Sequence, residues 1–148
     1  MSENKLEIKH AQGLGAINDA ALTIRKRVFI EEQGVPTTIE IDNLDHQTDH
    51  YVGFLSHTPV TTARVAINEA TKNWHIQRVA TLRDARGKGY AATLLKQIIA
   101  DAQQAQVQTL DLGAQVTAIG FYEKLGFIAE GPVFKDANID HRHMILTL

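Results

Sequence analysis

The chain has 148 residues, 44% of them hydrophobic and 22% charged, which suits one domain with one ordinary core. Its 15 Lys and Arg against 17 Asp and Glu give a formal charge of −2, which excludes a global positive field for nucleic acid or an anionic membrane. It has no cysteine, which excludes disulfides, thiolate nucleophiles and zinc ribbons.

The first predicted elements are a strand and a helix. Apolar and polar residues alternate over residues 5–11, the period-2 pattern of a half-buried strand. Apolar residues then recur at i, i+3 and i+7 from Ala21 to Val28. This spacing predicts a helix with Asn18 as its N-cap that ends at Gly34.

An acidic segment follows this helix. Residues 34–50 have no clean periodicity and are predicted to form loops. The stretch between residues 31 and 49 has six acids and no Lys or Arg, namely Glu31, Glu32, Glu40, Asp42, Asp45 and Asp49. Two interpretations stay open: the acids are simply solvated, or they form a negative rim that concentrates a protonated amine.

Three strands are predicted in the middle of the chain. Tyr51–Leu55 and Val60–Ile67 flank the turn residues 56–59 and are expected to pair in antiparallel fashion. Trp74–Thr81 is predicted to be the next strand. Together these form a meander.

The second half alternates helices and strands. A complete amphipathic face runs from Ala91 to Ala102, which predicts a helix. A strand over Val107–Leu112 and a helix over Thr117–Leu125 follow, and residues 127–134 and 141–148 are expected to pair as the last two strands. The pattern predicts an α/β fold for residues 1–148, a single domain whose mixed, mostly antiparallel central sheet is flanked by helices.

The densest chemical signal is the turn Arg83–Ala91, between a predicted strand and the strongest predicted helix. A helix start has unpaired N–H groups and the positive end of the helix dipole, and glycines let a phosphate approach the backbone closely. Four basic residues lie in or beside this turn: Arg78, Arg83, Arg86 and Lys88. The sequence therefore predicts an anion site, with a solvated glycine turn as the alternative.

Two other nucleotide motifs fit less well. A P-loop needs Gly and Ser or Thr where this chain has Leu82 and Gly89. Gly87–Ala92 matches the dinucleotide pattern G-x-G-x-x-A, with Asp111 about 20 residues further on. Too few residues follow Asp111 for the second half of a dinucleotide-binding domain.

Two motifs resemble those of the GNAT superfamily of N-acetyltransferases. Arg86–Ala91 resembles its acyl-CoA motif, Gln/Arg-x-x-Gly-x-Gly/Ala, and Ala118–Phe127 is similar to its segment F-Y-x-x-x-G-F. Arg27–Pro36, the stretch from Asp42 to His50, and Leu112–Gln115 further resemble the bacterial ElaA-like branch. The resemblance covers nearly the whole chain.

This resemblance implies a GNAT fold with an acyl-CoA cleft between the fourth and fifth strands. Acetyl-CoA is then the expected cosubstrate, held by the backbone of the fourth strand and by the glycine turn. The residues expected to bind it are Val79, Ala80, Thr81, Arg86, Gly87, Lys88, Gly89, Tyr90 and Ala91. The acceptor side is expected to include Glu32, Gln33 and His50.

Tyr122 matches the family tyrosine that protonates the departing thiolate. A phenol with a free pKa near 10 stays protonated at neutral pH and can act as the general acid. The alternative is a tyrosine that only packs in the core. The general base is not identified by the sequence, and its candidates are His75, Gln77, His50, Glu32 and Asp45.

Seven histidines raise the question of a metal. His141 and His143 share one face of a predicted strand, and His46 and His50 have helical spacing. A zinc site needs further ligands, so we expect no metal.

The expected function is therefore N-acetyltransfer from acetyl-CoA to a primary amine by direct attack. The acceptor is expected to be a small molecule or a peptide, without nucleic acid or membrane partners, and a homodimer stays open. The alternatives are a non-catalytic CoA-binding sensor and a dinucleotide binder. The longest apolar run has three residues and residues 1–5 lack the features of a secretory signal, so a cytoplasmic location is expected.

Overall fold

One seven-stranded sheet organises the part of the chain that the structure describes. The computed structural model describes residues 5–148, so most of the segment inspected for a secretory signal lies outside the described residues. The strand order across the sheet is β1-β2-β3-β4-β5-β7-β6. The strands are β1 Glu7–Gln12, β2 Asp49–Leu55, β3 Thr58–Asn68, β4 Asn73–Thr81, β5 Thr109–Gln115, β6 Ile128–Asp136 and β7 Ile139–Thr147.

Within residues 5–148, four α-helices connect and cover these strands. Short 3₁₀ turns occupy residues 45–47, 83–85 and 116–118. A π-helix over Lys26–Glu32 continues the first α-helix without a break. The α-helices are α1 Ala16–Arg25, α2 Thr37–Glu40, α3 Tyr90–Gln104 and α4 Ile119–Lys124.

The sheet is mixed, as predicted. β4 and β5 are its parallel pair, and α3 makes the crossover that a parallel pair requires. The other neighbouring strands pair in antiparallel fashion. The predicted mixed, mostly antiparallel sheet flanked by helices is therefore confirmed.

Both faces of the sheet bury apolar side chains. On one face, Leu94, Leu95 and Ile98 of α3 are fully buried within the main core cluster. On the other face, Ala21 and Ile24 belong to a second cluster under α1. The amphipathic face read from the sequence of α3 thus positions the helix, and with it the turn that precedes its first residue.

The structure differs from the sequence-based prediction around the first helix. Asn18 is buried inside α1 rather than capping it, because the chain enters the helix through Gly15, whose φ is 147°. The segment predicted as loops contains α2 and a 3₁₀ turn. Similarly, Thr117 lies in a 3₁₀ turn and α4 begins at Ile119.

Two hairpin turns are also tighter than predicted. Ser56 and His57 have φ of 47° and 71°, and Ala137 and Asn138 have φ of 50° and 62°. Two consecutive left-handed residues match the natural twist of the flanking strands. Neither pair carries the usual Asn-Gly signal, so the sequence suggested longer links. Within residues 5–148 no helix has the length and apolar character needed to cross a membrane.

Candidate active site

A cleft opens where β4 and β5 separate. These strands pair only from Asn73 to Ile76 on β4 and from Thr109 to Leu112 on β5. Each strand continues beyond this paired stretch, β4 to Thr81 and β5 to Gln115. The space between the diverging ends is a cleft of about 620 Å³.

A bulge in β4 redirects this strand at the cleft. Thr62 of β3 pairs with Ala80 and Arg64 pairs with Gln77, so Arg78 and Val79 together oppose one residue of β3. Arg78 has a φ of 56°, an unusual conformation for a residue with a side chain. Its guanidinium lies 3.1 Å from Glu40 Oε1 and 3.2 Å from Asp42 Oδ2, and these ion pairs hold the bulge in place.

The glycine turn lies at one end of the cleft. Gly87 and Gly89 have φ of 78° and 82°, and a Cβ on either would meet no protein atom within 4 Å. A separate depression of about 380 Å³ is lined by this turn and by the first residues of α3. α3 has 15 residues, so its start has the full set of unpaired N–H donors.

Arg86 connects this turn to two other elements. Its Nε donates to the carbonyl oxygen of Thr81 at 2.9 Å, and its Nη2 donates to Glu32 Oε1 at 2.8 Å. Lys88 is exposed, and Tyr90 and Ala91 are half-buried in the first turn of α3. The turn therefore presents cationic side chains and glycine backbone on one side of the cleft.

Tyr122 lies in the wall of the cleft. Its ring contacts Phe121 and Phe127 edge-to-face, with centroids 5.1 and 6.0 Å apart, and 7% of the residue is exposed. Burial raises the pKa of its phenol, so the hydroxyl stays protonated at neutral pH. Among the described residues, no hydrogen-bond partner engages this hydroxyl.

A family profile described as an acetyltransferase (GNAT) domain matches residues 15–148. The chain belongs to the GNAT acetyltransferase family. YjcF of Bacillus subtilis, which is named an uncharacterized N-acetyltransferase, is 29% identical over 126 residues, which cover 84% of this chain and 89% of YjcF. The predicted membership of the GNAT superfamily is confirmed, and the family and its relatives make this protein an enzyme.

Solved GNAT structures share the whole fold. An N-acetyltransferase from Lactobacillus plantarum is 27% identical with a TM-score of 0.89, covering 98% of this chain and 99% of that one. An acyl-CoA N-acyltransferase from Pseudomonas aeruginosa is 25% identical with a TM-score of 0.85, covering 97% and 100%. ElaA of Escherichia coli has the same fold at 24% identity and a TM-score of 0.84, covering 95% and 99%.

The GNAT cleft includes one of the three residues expected on the acceptor side. Gln33 lines it, and its Oε1 accepts a hydrogen bond from Gln115 Nε2 at 3.1 Å. Glu32 is the partner of Arg86 and does not line the main cleft. His50 is fully buried beneath the acidic segment, where its Nε2 lies 2.9 Å from the carbonyl oxygen of Asp45. The structure therefore places His50 outside the cleft.

The negative rim expected from the acidic segment is not formed, because four of its six acids are paired with arginines from other elements, Glu32 among them. Glu40, Asp42 and Asp45 contact Arg25 of α1, Arg64 of β3 and Arg78 of β4 at 2.6 to 3.2 Å. We call these six residues the ion cluster. Asp49 is half-buried, and burial raises its pKa. The electrostatic argument for a cationic acceptor thus loses its basis.

The ion cluster shifts the pKa of Asp42 and Asp45. Although burial opposes it, hydrogen bonds and charge from Arg64, with smaller contributions from the Leu44 amide and Arg78, lower the pKa of Asp42 to about 2. Arg25 and Arg64 likewise lower the pKa of Asp45 against burial. These acids are therefore charged at neutral pH and balance the arginines.

A second polar cluster in the GNAT cleft was missed from the sequence. His75, Asp111, His143 and Glu130 form a hydrogen-bonded row across four strands. The repeat of His141 and His143 signalled part of it, but nothing in the sequence aligned His75 with Asp111. Among residues 5–148 no three His, Asp or Glu side chains are arranged as metal ligands.

Proposed function

We propose that this protein is an acetyl-CoA-dependent N-acetyltransferase that acetylates a primary amine by direct attack of the amine on the thioester. The observation that carries the proposal is the separation of β4 from β5 with an open glycine turn beside this cleft. Strand separation leaves backbone groups available to an extended thiol arm, and the turn leaves them available to a phosphate.

The residues of the cleft fit acyl-CoA in two places. Val79, Ala80 and Thr81 line the cleft beyond the last pair with β5, so their backbone is proposed to bind the pantetheine arm. The residues proposed to hold the pyrophosphate are Arg86, Gly87, Lys88, Gly89, Tyr90 and Ala91. A Bacillus subtilis acetyltransferase solved in complex with CoA shares the fold at 16% identity and a TM-score of 0.71, covering 97% of this chain and 99% of that one.

Tyr122 is proposed to be the general acid. Acetyl-CoA, when bound, supplies an acetyl group activated as a thioester, and the CoA thiolate leaves as the amide forms. The buried, protonated phenol of Tyr122 has no protein acceptor among the described residues and is available to donate to that sulfur. Gln33 is proposed to border the acceptor.

Two measurements test this function together. Acetyl-CoA should stabilise the protein by about 2.7 kcal/mol when present at 100 times its Kd, and a thiol-detecting assay should show CoA release with at least one acceptor among amines, amino acids, polyamines and peptides. Binding without release for any acceptor would favour a CoA-binding sensor. Absence of both signals would contradict the proposal.

A further inference from the structure

Four titratable side chains form a continuous row on the sheet at the cleft. His75 Nδ1 lies 3.0 Å from Asp111 Oδ1, and the other carboxylate oxygen, Oδ2, lies 2.9 Å from His143 Nε2. His143 Nδ1 lies 3.0 Å from Glu130 Oε1. The row thus joins β4, β5, β7 and β6 in the order in which these strands lie in the sheet.

The two histidines of this row differ in how many of their ring nitrogens have a partner. Both nitrogens of His143 face carboxylate oxygens, one on Asp111 and one on Glu130. His75 has one nitrogen on Asp111, and its Nε2 has no partner among the described residues. His75 lines the cleft with 39% of its side chain exposed. Of the two rings, only that of His75 presents a nitrogen to a molecule in the cleft.

We propose that His75 is the general base of the acetyl transfer, that Asp111 positions it, and that His143 and Glu130 fix Asp111; this rests on the function proposed above. Asp111 accepts the Nδ1–H of His75, which leaves the lone pair on Nε2 facing the cleft. An acceptor ammonium then has a proton acceptor beside the path to the thioester, as direct attack by a neutral amine requires.

The protons and bonds of this reaction balance. The ammonium gives one proton to His75 Nε2, and His75 later releases it to solvent through the open side of the cleft. The neutral amine nitrogen forms a bond to the acetyl carbon as the carbon–sulfur bond breaks. Tyr122 donates its proton to the sulfur, and the second proton that the nitrogen loses as the amide forms returns to the Tyr122 phenolate through solvent, which restores the phenol.

Asp111 is the acidic side chain that contacts His75. Burial opposes ionisation of Asp111, but hydrogen bonds from His75 and His143 lower its pKa to about 2. On the β3 side, His75 pairs with the uncharged Ala66. The nearest charged residue along β3 is Arg64, which is engaged with Asp42 and Asp45. The negative charge next to His75 is therefore that of Asp111.

The first test is kinetic and uses the fastest acceptor found in the CoA-release screen. His75→Gln should lower kcat/KM by about 10² to 10⁴-fold and leave the thermal shift with acetyl-CoA unchanged. The ratio of wild-type to variant kcat/KM cancels the ionisation of the acceptor itself. This ratio should rise with pH and then level, because only a neutral imidazole can accept a proton. His46→Gln, which changes an exposed histidine outside the cleft, should match the wild type. A pH-independent ratio would overturn the proposal.

The second test needs no acceptor. In nitrogen-15 NMR spectra of the free protein, with His75→Gln used for assignment, neutral His75 should be mainly the Nδ1–H tautomer. Asp111→Asn should reduce that tautomer and shift the pH profile of kcat/KM, while folding is checked by thermal unfolding. A neutral His75 that carries its proton on Nε2 overturns the proposal even if no acceptor is found. Absence of CoA release with the expected tautomer contradicts the proposed acetyl transfer and leaves the geometry of His75 supported.

Discussion

At the scale of single residues, Tyr122 has two properties that pull in different directions. Its edge-to-face contacts with Phe121 and Phe127 are those of a core aromatic. Its presence in the wall of the cleft is what a general acid requires. Replacing the hydroxyl by hydrogen separates these roles, because the ring contacts stay and the proton donor is lost.

Tyr122→Phe should therefore lower kcat by about 10² to 10⁴-fold and leave the Kd for acetyl-CoA nearly unchanged. Steady-state rates and equilibrium binding measure the two effects. Tyr51→Phe is the matched control, because it removes a buried hydroxyl that donates to Asp101 at 2.7 Å outside the cleft. It should reduce stability without changing kcat. Equal rates for Tyr122→Phe and wild type would make Tyr122 a packing residue.

Gly89 can be tested against a second glycine with a similar φ. Gly89 has a φ of 82° and Gly131 a φ of 77°, and a Cβ at either position would meet no protein atom within 4 Å. Leucine at each site pays a similar conformational cost, about 1–2 kcal/mol. Gly89→Leu should also abolish most of the thermal shift with acetyl-CoA, whereas Gly131→Leu should keep it. Equal shifts in both variants would place the pyrophosphate elsewhere.

The sequence indicated the glycine turn and Tyr122 as candidate site residues because each belongs to a local motif whose chemistry is contained in about ten consecutive residues. It did not predict the contact between His75 and Asp111. These residues are 36 positions apart, and their pairing depends on the register of two parallel strands joined by α3. A shift of that register by one residue would turn one of the side chains to the other face.

At the scale of elements, the segment from α2 to the 3₁₀ turn at 45–47 was the least predictable. Its sequence has no periodicity because it is held by ion pairs rather than by an apolar face. The arginines that pair with it come from α1, β3 and β4. The sequence of the segment therefore shows the acids of these ion pairs but not their partners. The π-helix before this segment ends with Glu32, which contacts Arg86, and Gln33 follows it and contacts Gln115.

The ion pair between Glu32 of the π-helix and Arg86 of the glycine turn should weaken binding of acetyl-CoA. Glu32 neutralises Arg86 in the free protein, so Glu32→Gln frees a guanidinium for the pyrophosphate. Partly exposed ion pairs contribute about 0.2–1 kcal/mol, which predicts a Kd lower by up to about fivefold. The gain should shrink at high salt. Glu31→Gln, an exposed neighbour, is the control, and calorimetric titration is the measurement. A higher Kd for Glu32→Gln would contradict this account.

At the scale of the whole molecule, the ion cluster ties α1 and the segment from α2 to the 3₁₀ turn at 45–47 to the sheet. Arg25 and Arg64 are almost fully buried, with 1% of each side chain exposed. Charges buried this deeply must be paired, and removing one partner leaves the other uncompensated. The cluster also holds Arg78, and through it the bulge at which β4 turns away from β5. The stability of the fold and the shape of the cleft therefore depend on the same ion pairs.

This dependence predicts a loss of stability in acid. The pKa of Asp42 is lowered in the folded protein from 3.8 to about 2, so its contribution is complete above its unfolded pKa and disappears as pH falls through its folded pKa. The pKa values of Asp111 and Asp45 are also lowered in the folded protein, so their contributions to stability are likewise lost in acid. The pKa of Asp49 is raised, so its effect on stability has the opposite dependence on pH. Asp42→Asn should cost about 2 kcal/mol at pH 7, measured by urea unfolding.

The cost of Asp42→Asn should itself depend on pH. Between about pH 5 and pH 2 the wild-type carboxylate becomes protonated and its ion pairs with Arg64 and Arg78 are lost. The difference in unfolding free energy between wild type and Asp42→Asn should therefore shrink toward zero over this range. Asp84→Asn, at an exposed aspartate outside the ion cluster, should stay close to wild type throughout. A difference that stays constant with pH would mean that Asp42 stabilises the fold by its shape and hydrogen bonds rather than by its charge.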